Sequence, residues 1–120
     1  MKLQTAGEDY LKAMLVLEHR CGAVRSVDLA RYHHVTKPTI SYAVSALKEG
    51  GFLTVDDDYF LHLTDVGREI AEKLYERHCF FIDQLTAAGV DYETAAADAN
   101  RIMHAISDVS FECVKQKLCS

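Results

Sequence analysis

Thr36-Lys-Pro-Thr-Ile-Ser-Tyr-Ala-Val-Ser-Ala-Leu-Lys48 is the stretch that decides the fold. Thr36 offers a capping hydroxyl, and Pro38 falls in the first turn, where a missing N–H costs nothing. Ile40, Ala43, Val44 and Leu47 recur at i, i+3, i+4 and i+7, the inward stripe of an amphipathic helix over residues 37–48. Glu49-Gly50-Gly51 stops it. Lys37, Thr39, Ser41 and Tyr42 remain on the outer face.

Upstream, Ser26 caps a short helix over residues 27–33, with Val27, Leu29, Ala30 and Tyr32 as its inner face. His34-Val35 makes the connection. Before it, a helix over residues 5–20 carries Tyr10, Leu11, Met14, Leu15 and Leu17 at helical spacing. Thr5 and Glu8 form its capping box, and Cys21-Gly22 ends it. Downstream, residues 52–55 and 59–63 are β-rich runs around Asp56-Asp57-Asp58 and predict a hairpin. Thr64 caps a long helix over 65–88 with Gly89 as its stop. Asp91 caps another over 92–106, and Ser107 or Asp108 opens a last one over 109–118. Helix, short helix, turn, helix, hairpin is the order of a winged helix-turn-helix. The fold class is mainly α with a small β-hairpin, a winged helix-turn-helix over 1–64 followed by a helical domain over 65–120.

With 120 residues, 49% of them hydrophobic, the chain can bury a real core. Its uncharged apolar runs fall far short of the ~20 residues a bilayer needs, and the N-terminal stretch lacks the apolar core of a signal peptide. The expectation is a cytoplasmic protein with no membrane partner. Cys21, Cys79, Cys113 and Cys119 form no CxxC pair and are expected as free thiols. A redox switch through Cys113 and Cys119 is a minor reading, because no basic cluster clearly lowers a thiol pKa there.

A net charge of -5 argues against nucleic acid, but its distribution does not. Residues 1–51 hold seven basic and five acidic side chains, net +2, whereas 52–120 hold six and thirteen, net -7. What matters is the local field at the docking face. A recognition helix puts its first turns into the major groove of double-stranded DNA. Thr36, Lys37, Pro38, Thr39, Ser41 and Tyr42 lie there, suited to phosphates and base edges, and Arg25 and Ser26 can hold the adjacent backbone. The plainer reading of Thr36 and Pro38 is a cap and first-turn pair found in any helix. The Asp56-Asp57-Asp58 tip would repel phosphate, so the wing is expected to stay off the backbone. Against an enzyme, there is no nucleophile elbow, no HExxH, no phosphate loop and no pair of acids in an evident cleft.

Gly7-Glu-Asp-Tyr-Leu11, Val24-Arg-Ser-Val-Asp-Leu-Ala30, Thr36-Lys-Pro-Thr-Ile-Ser41, Leu63-Thr-Asp-Val-Gly67, Glu76-Arg-His78 and residues 98–104 stand in an order and spacing that resemble the diphtheria toxin repressor and manganese transport regulator family of metal-dependent repressors. The resemblance runs over nearly the whole chain and is to the two-domain type, without the SH3-like domain of larger members. It implies a repressor that binds a palindromic operator as a homodimer, with residues 65–120 dimerising and sensing metal. Phe80, Phe81, Leu85, Ile102 and Ile106 read as the dimer core. The family's ligand positions fall on Asp9, Lys12, His78, Asn100, Met103 and His104.

Asp9, His78 and His104 match as ligands. Lys12 departs from the family's acid or methionine, Asn100 from its carboxylate or cysteine, and Met103 from its glutamate. Asn100, Met103 and His104 still share a helical face at i, i+3 and i+4. Hard Mn²⁺ and Fe²⁺ prefer anionic oxygen, so three readings stand. In the first, Asp9, His78, Met103 and His104 bind a divalent metal (Mn, Fe, Co or Zn, with Cu(I) a lesser fit) with altered selectivity. In the second, no metal binds and Lys12 takes its place. The third is a non-DNA interaction module, or a zinc hydrolase built on Asp9, His78 and His104. Met103 is equally readable as core filling, and Asn100 and Lys12 are poor ligands in any case. Cys79, ~100° around the helix from His78, reads as packing. His19, His33, His34 and His62 are expected at the surface or in turns.

Overall fold

The computed structural model describes residues 3–119, the side chain of Cys119 excepted. Cys119's thiol therefore lies outside the described residues, as does the pairing with Cys113. Cys21, Cys79 and Cys113 are free. The elements run α1 (Thr5–Cys21), β1 (Val24–Arg25), α2 (Ser26–His33), α3 (Lys37–Glu49), β2 (Leu53–Val55), β3 (Phe60–Leu63), α4 (Asp65–Ala87), α5 (Tyr92–Ala105) and α6 (Asp108–Cys119). They gather into two compact units that meet within α4, one through Glu72 and one from Lys73 onward.

In the first unit, α1, α2 and α3 close over a small antiparallel sheet of order β1-β3-β2. Leu11, Met14, Val24, Leu29, Ile40 and Leu53 are its largest fully buried side chains. The sheet is larger than the expected hairpin, because Val24 and Arg25 pair with Leu61 and Phe60. That strand closes the open edge of β3. A two-residue strand carries no periodicity, which is why the sequence does not announce it. Gly22 ends α1 at φ 81, a conformation that would strain any other residue.

Local caps correct three expectations. The N-cap of α1 is Gln4, without a side-chain hydrogen bond, so the Thr5–Glu8 capping box does not form. The N-cap of α2 is Arg25 rather than Ser26, and the Asp28 carboxylate accepts the Arg25 N–H at 2.8 Å. Val27 and Tyr32 are exposed, since this two-turn helix buries only the stripe at Leu29 and Ala30. Thr36 caps α3 as expected and Asp91 caps α5, each accepting the N–H three residues on.

His33, expected at the surface or in a turn, is half-buried at the end of α2. Its ring stands edge-on to Tyr10 and Tyr32 at 4.6 and 5.2 Å, and its Nε2 finds no partner among the described residues. Burial, reinforced by the nearby Lys12 and His34 charges and opposed by Asp9, holds its pKa below the ordinary 6.5. Between the lowered value and 6.5 the unfolded chain binds more protons than the folded one, so stability rises with pH through that window. Above 6.5 both forms are neutral and the contribution is complete. His33→Phe keeps the ring and removes the titration. Urea unfolding at pH 5 and pH 7.5 is expected to show a smaller pH difference for the variant. An identical difference in both proteins would rule the His33 contribution out.

The second unit folds around Phe111, Met103, Leu74, Ala95 and Ala99. The alanines sit four apart on α5 and let it approach closely, and the Phe80, Phe81 and Phe111 rings interlock at centroid distances of 5.2 to 6.0 Å. Phe80, Phe81, Leu85, Ile102 and Ile106 keep partial exposure. Arg77, with a side chain 5% exposed, donates to the Ile106 carbonyl at 2.8 Å and to the Asp108 carboxylate, and its guanidinium lies 5.1 Å from the Phe111 centroid. Lys73 reaches the same carboxylate at 2.8 Å. The Lys73 and Arg77 hydrogen bonds hold Asp108 below the usual carboxylate range. Arg77 thereby fastens the α5–α6 turn to α4, and Ser107 caps α6 through the Ser110 N–H.

Candidate functional site

The outer face of α3 is built by its own cap. Residue 36 is extended, and its Oγ1 accepts the Thr39 N–H at 3.4 Å and donates to Thr39 Oγ1 at 2.9 Å. His34 in the left-handed conformation, φ 56, makes the turn from α2. With Ile40, Val44 and Leu47 locked in the core, Lys37, Pro38, Thr39, Ser41 and Tyr42 are all exposed, Tyr42 by 80%. The helix N-terminus adds partial positive charge there. Lys37 makes no ion pair among the described residues. Six of the eight expected DNA-facing residues thus share the start of one helix.

Arg25 stands apart from them, on β1. Its guanidinium lies over the Phe60 ring, 4.2 Å from the centroid, and it has no carboxylate partner among the described residues. Ser26 opens α2 half-buried.

The acidic tip is organised internally. Asp56 Oδ1 accepts the N–H groups of Asp58 and Phe60 at 2.9 and 3.0 Å, and Oδ2 meets His62 Nε2 at 2.8 Å. The His62 hydrogen bond, then the Phe60 N–H, holds the Asp56 carboxyl below its usual range. Tyr59 closes the turn at φ 66 with its ring in solvent. The sequence marks Asp56 only as one of three tip charges, because its partners become neighbours when β3 folds back.

The family's metal positions divide between the units. Asp9 and Lys12 lie one turn apart on α1, His78 lies on α4, and Asn100, Met103 and His104 on α5. Met103 is fully buried and Lys12 is 7% exposed, an unusual place for an ammonium. Asp9, His78, Asn100 and His104 are half-buried. Among the described residues, no three His, Cys, Asp or Glu side chains gather as a metal-holding group. One carboxylate, one ammonium, two imidazoles, an amide and a thioether do not fit a hard dication such as Mn²⁺ or Fe²⁺.

No protein-family model matches the chain. The chain is 30% identical to the HTH-type transcriptional regulator MntR of Shouchella clausii over 83% of its own length and 70% of that protein. It is 29% identical to the transcriptional regulator MntR of Salmonella typhimurium over 88% of its length and 67% of that protein. A solved structure of a manganese-dependent transcriptional repressor complexed with manganese superposes with a TM-score of 0.81 at 27% identity, over 93% of this chain and 52% of that one. The chain thus spans about half the length of that solved structure. These relatives are regulators, not enzymes. The winged unit, the helical unit and these identities place the chain in the diphtheria toxin repressor and manganese transport regulator family of metal-dependent transcriptional repressors.

Proposed function

We propose that this chain regulates transcription by binding a palindromic operator as a homodimer, with α3 in the major groove and Arg25 and Ser26 on the adjacent backbone. The exposed start of α3, where Lys37 has no ion-pair partner among the described residues, carries the reading. By the family's pattern it acts as a repressor. Each subunit of a two-fold dimer presents one α3 to a half-site, so the spacing between the two helices selects the operator. The half-exposed Phe80, Phe81, Leu85, Ile102 and Ile106 supply apolar surface suited to pairing.

The test is a gel shift on a duplex spanning the promoter of the chain's own gene. Lys37→Ala with Thr39→Ala is expected to weaken binding at least about tenfold and to lower the slope of log affinity against log salt by roughly 0.9, one phosphate contact. Unchanged affinity in the double variant, or a monomer in sedimentation, would overturn the reading.

For the sensing positions, the burial of Lys12 favours the second reading, in which the ammonium stands where the family places a ligand and operator binding needs no metal. If an ion does bind, His78, Met103 and His104 would select Zn²⁺, Co²⁺ or Cu(I) over Mn²⁺ or Fe²⁺.

A further inference from the structure

We infer that Phe60 is a positioning residue for DNA binding. Its ring holds the Arg25 guanidinium ready for a phosphate, so the wing contributes through the face of β3 rather than through its tip. The inference rests on the DNA-binding reading of α3 and adds to it a part for the sheet.

Four observations carry it. Arg25 and Phe60 are direct partners across the β1–β3 ladder, so their side chains leave the sheet on the same face. The guanidinium lies 4.2 Å from the ring centroid, inside the range of a cation–π contact. Asp28, the nearest acid in sequence, is occupied elsewhere. Its Oδ2 accepts the Arg25 backbone N–H at 2.8 Å, and its Oδ1 faces Arg31 at 3.9 Å. Arg25 consequently has no ion pair among the described residues, and its donors stay open to an anion. A stacked guanidinium keeps its N–H fork at the plane's edge, free for bidentate phosphate contact, while its flexible stem is held still. Less conformational freedom is then lost when the phosphate arrives.

The tip is the counterpart. Asp56 ties its carboxylate to Asp58, Phe60 and His62, and Asp57 and Asp58 are exposed beside it. Three acids at the turn would repel a phosphate, whereas Phe60, the first residue of β3 beside them, pairs with β1 and presents an aromatic face on which the Arg25 cation lies.

The full chain is titrated with the promoter duplex at several salt concentrations. Wild type, Arg25→Ala, Phe60→Leu, Phe60→Tyr and the Arg25→Ala/Phe60→Leu pair are compared, with Lys37→Ala/Thr39→Ala as the α3 control. Arg25→Ala is expected to lower the salt slope by roughly 0.9. Phe60→Leu, which keeps apolar bulk but removes the π face, should weaken binding about threefold, the scale of an exposed cation–π contact. Phe60→Tyr should restore wild-type affinity. In the Arg25→Ala background Phe60→Leu should change nothing further, a result that simple loosening of the sheet would not give. If the Phe60→Leu and Arg25→Ala losses multiply independently, or Phe60→Leu binds as wild type while the α3 control is weakened, the positioning role is overturned and the α3 reading stands. If the α3 control binds as tightly as wild type, both fall. Should Phe60→Leu melt well below wild type, Phe60→Tyr and Arg25→Lys decide the matter. Arg25→Lys, which keeps the charge but loses the planar stack, must still weaken binding.

Discussion

Gly67→Ala is expected to unfold the winged unit by about 15 °C or more relative to wild type. An alanine Cβ at this position would lie 1.9 Å from the Phe52 carbonyl oxygen and 2.9 Å from its carbon. The obstacle is backbone, and it cannot retreat. The Phe52 carbonyl accepts the Thr64 N–H at 3.1 Å, and the Phe52 N–H donates to the Leu47 carbonyl at 3.0 Å, so residue 52 is held from both ends. Thr64 completes the joint, because its hydroxyl donates to the Gly51 carbonyl at 2.7 Å and accepts the Gly67 N–H at 3.1 Å. In an isolated helix the same change would add about 1 kcal/mol of stability, since alanine is the better helix former. Here a clash of this depth forces α4 away from the start of β2, and overpacking of that kind costs on the order of 3 kcal/mol or more. Each kcal/mol shifts the midpoint of a unit this size by roughly 4–8 °C. Thermal melts followed by circular dichroism decide it. A variant that melts at or above the wild-type temperature would mean that this close approach is not what the glycine serves.

That joint illustrates what the sequence discloses and what it hides. Leu63-Thr-Asp-Val-Gly67 advertises a helix start, and the cap by Thr64 follows from local chemistry alone. Helix α3 was legible for the same reason, since Thr36, Pro38 and the stripe at Ile40, Val44 and Leu47 all act within a few residues of one another. The contacts that shape the site are of another kind. Gly67 meets Phe52, Arg25 meets Phe60, and Arg77 meets Ile106 and Asp108, pairs separated by 15 to about 35 positions and fixed only by tertiary packing. Charged side chains mislead most. Periodicity puts lysine and arginine outside, yet Lys12 and Arg77 are among the buried residues, because α1 and α4 carry them where backbone and side-chain acceptors or packing make burial tolerable. The helical positions that the family uses for metal could be numbered from sequence. Whether their side chains make a metal site depends on charge as much as on place.

Lys12→Glu tests that charge directly: on the reading in which Lys12 takes the metal's place, it is expected to create a metal response. At the six family positions the formal charge, with the imidazoles counted as neutral, is zero: one carboxylate at Asp9 against one ammonium at Lys12, with Asn100 and Met103 neutral. The substitution brings it to -2. Two like charges about 4 Å apart repel by about 4 kcal/mol at an effective dielectric near 20, so an ammonium one helical turn from the Asp9 carboxylate opposes any dication that Asp9 would hold. Replacing it with a carboxylate one helical turn from Asp9 removes that opposition and adds an anionic oxygen donor of the kind Mn²⁺ favours. Affinity for Mn²⁺ should rise at least about a hundredfold, and operator binding by the variant should weaken when metal is removed, as expected if the wild-type ammonium fills the metal's role. Calorimetric titration with Mn²⁺ and gel shifts with and without chelator read the two effects separately. Circular dichroism guards against trivial unfolding, since a lone buried carboxylate is costly until an ion joins it. Tight Mn²⁺ binding by the wild type would sink the substitution of metal by lysine. So would a folded Lys12→Glu protein that binds no metal and grips DNA as before.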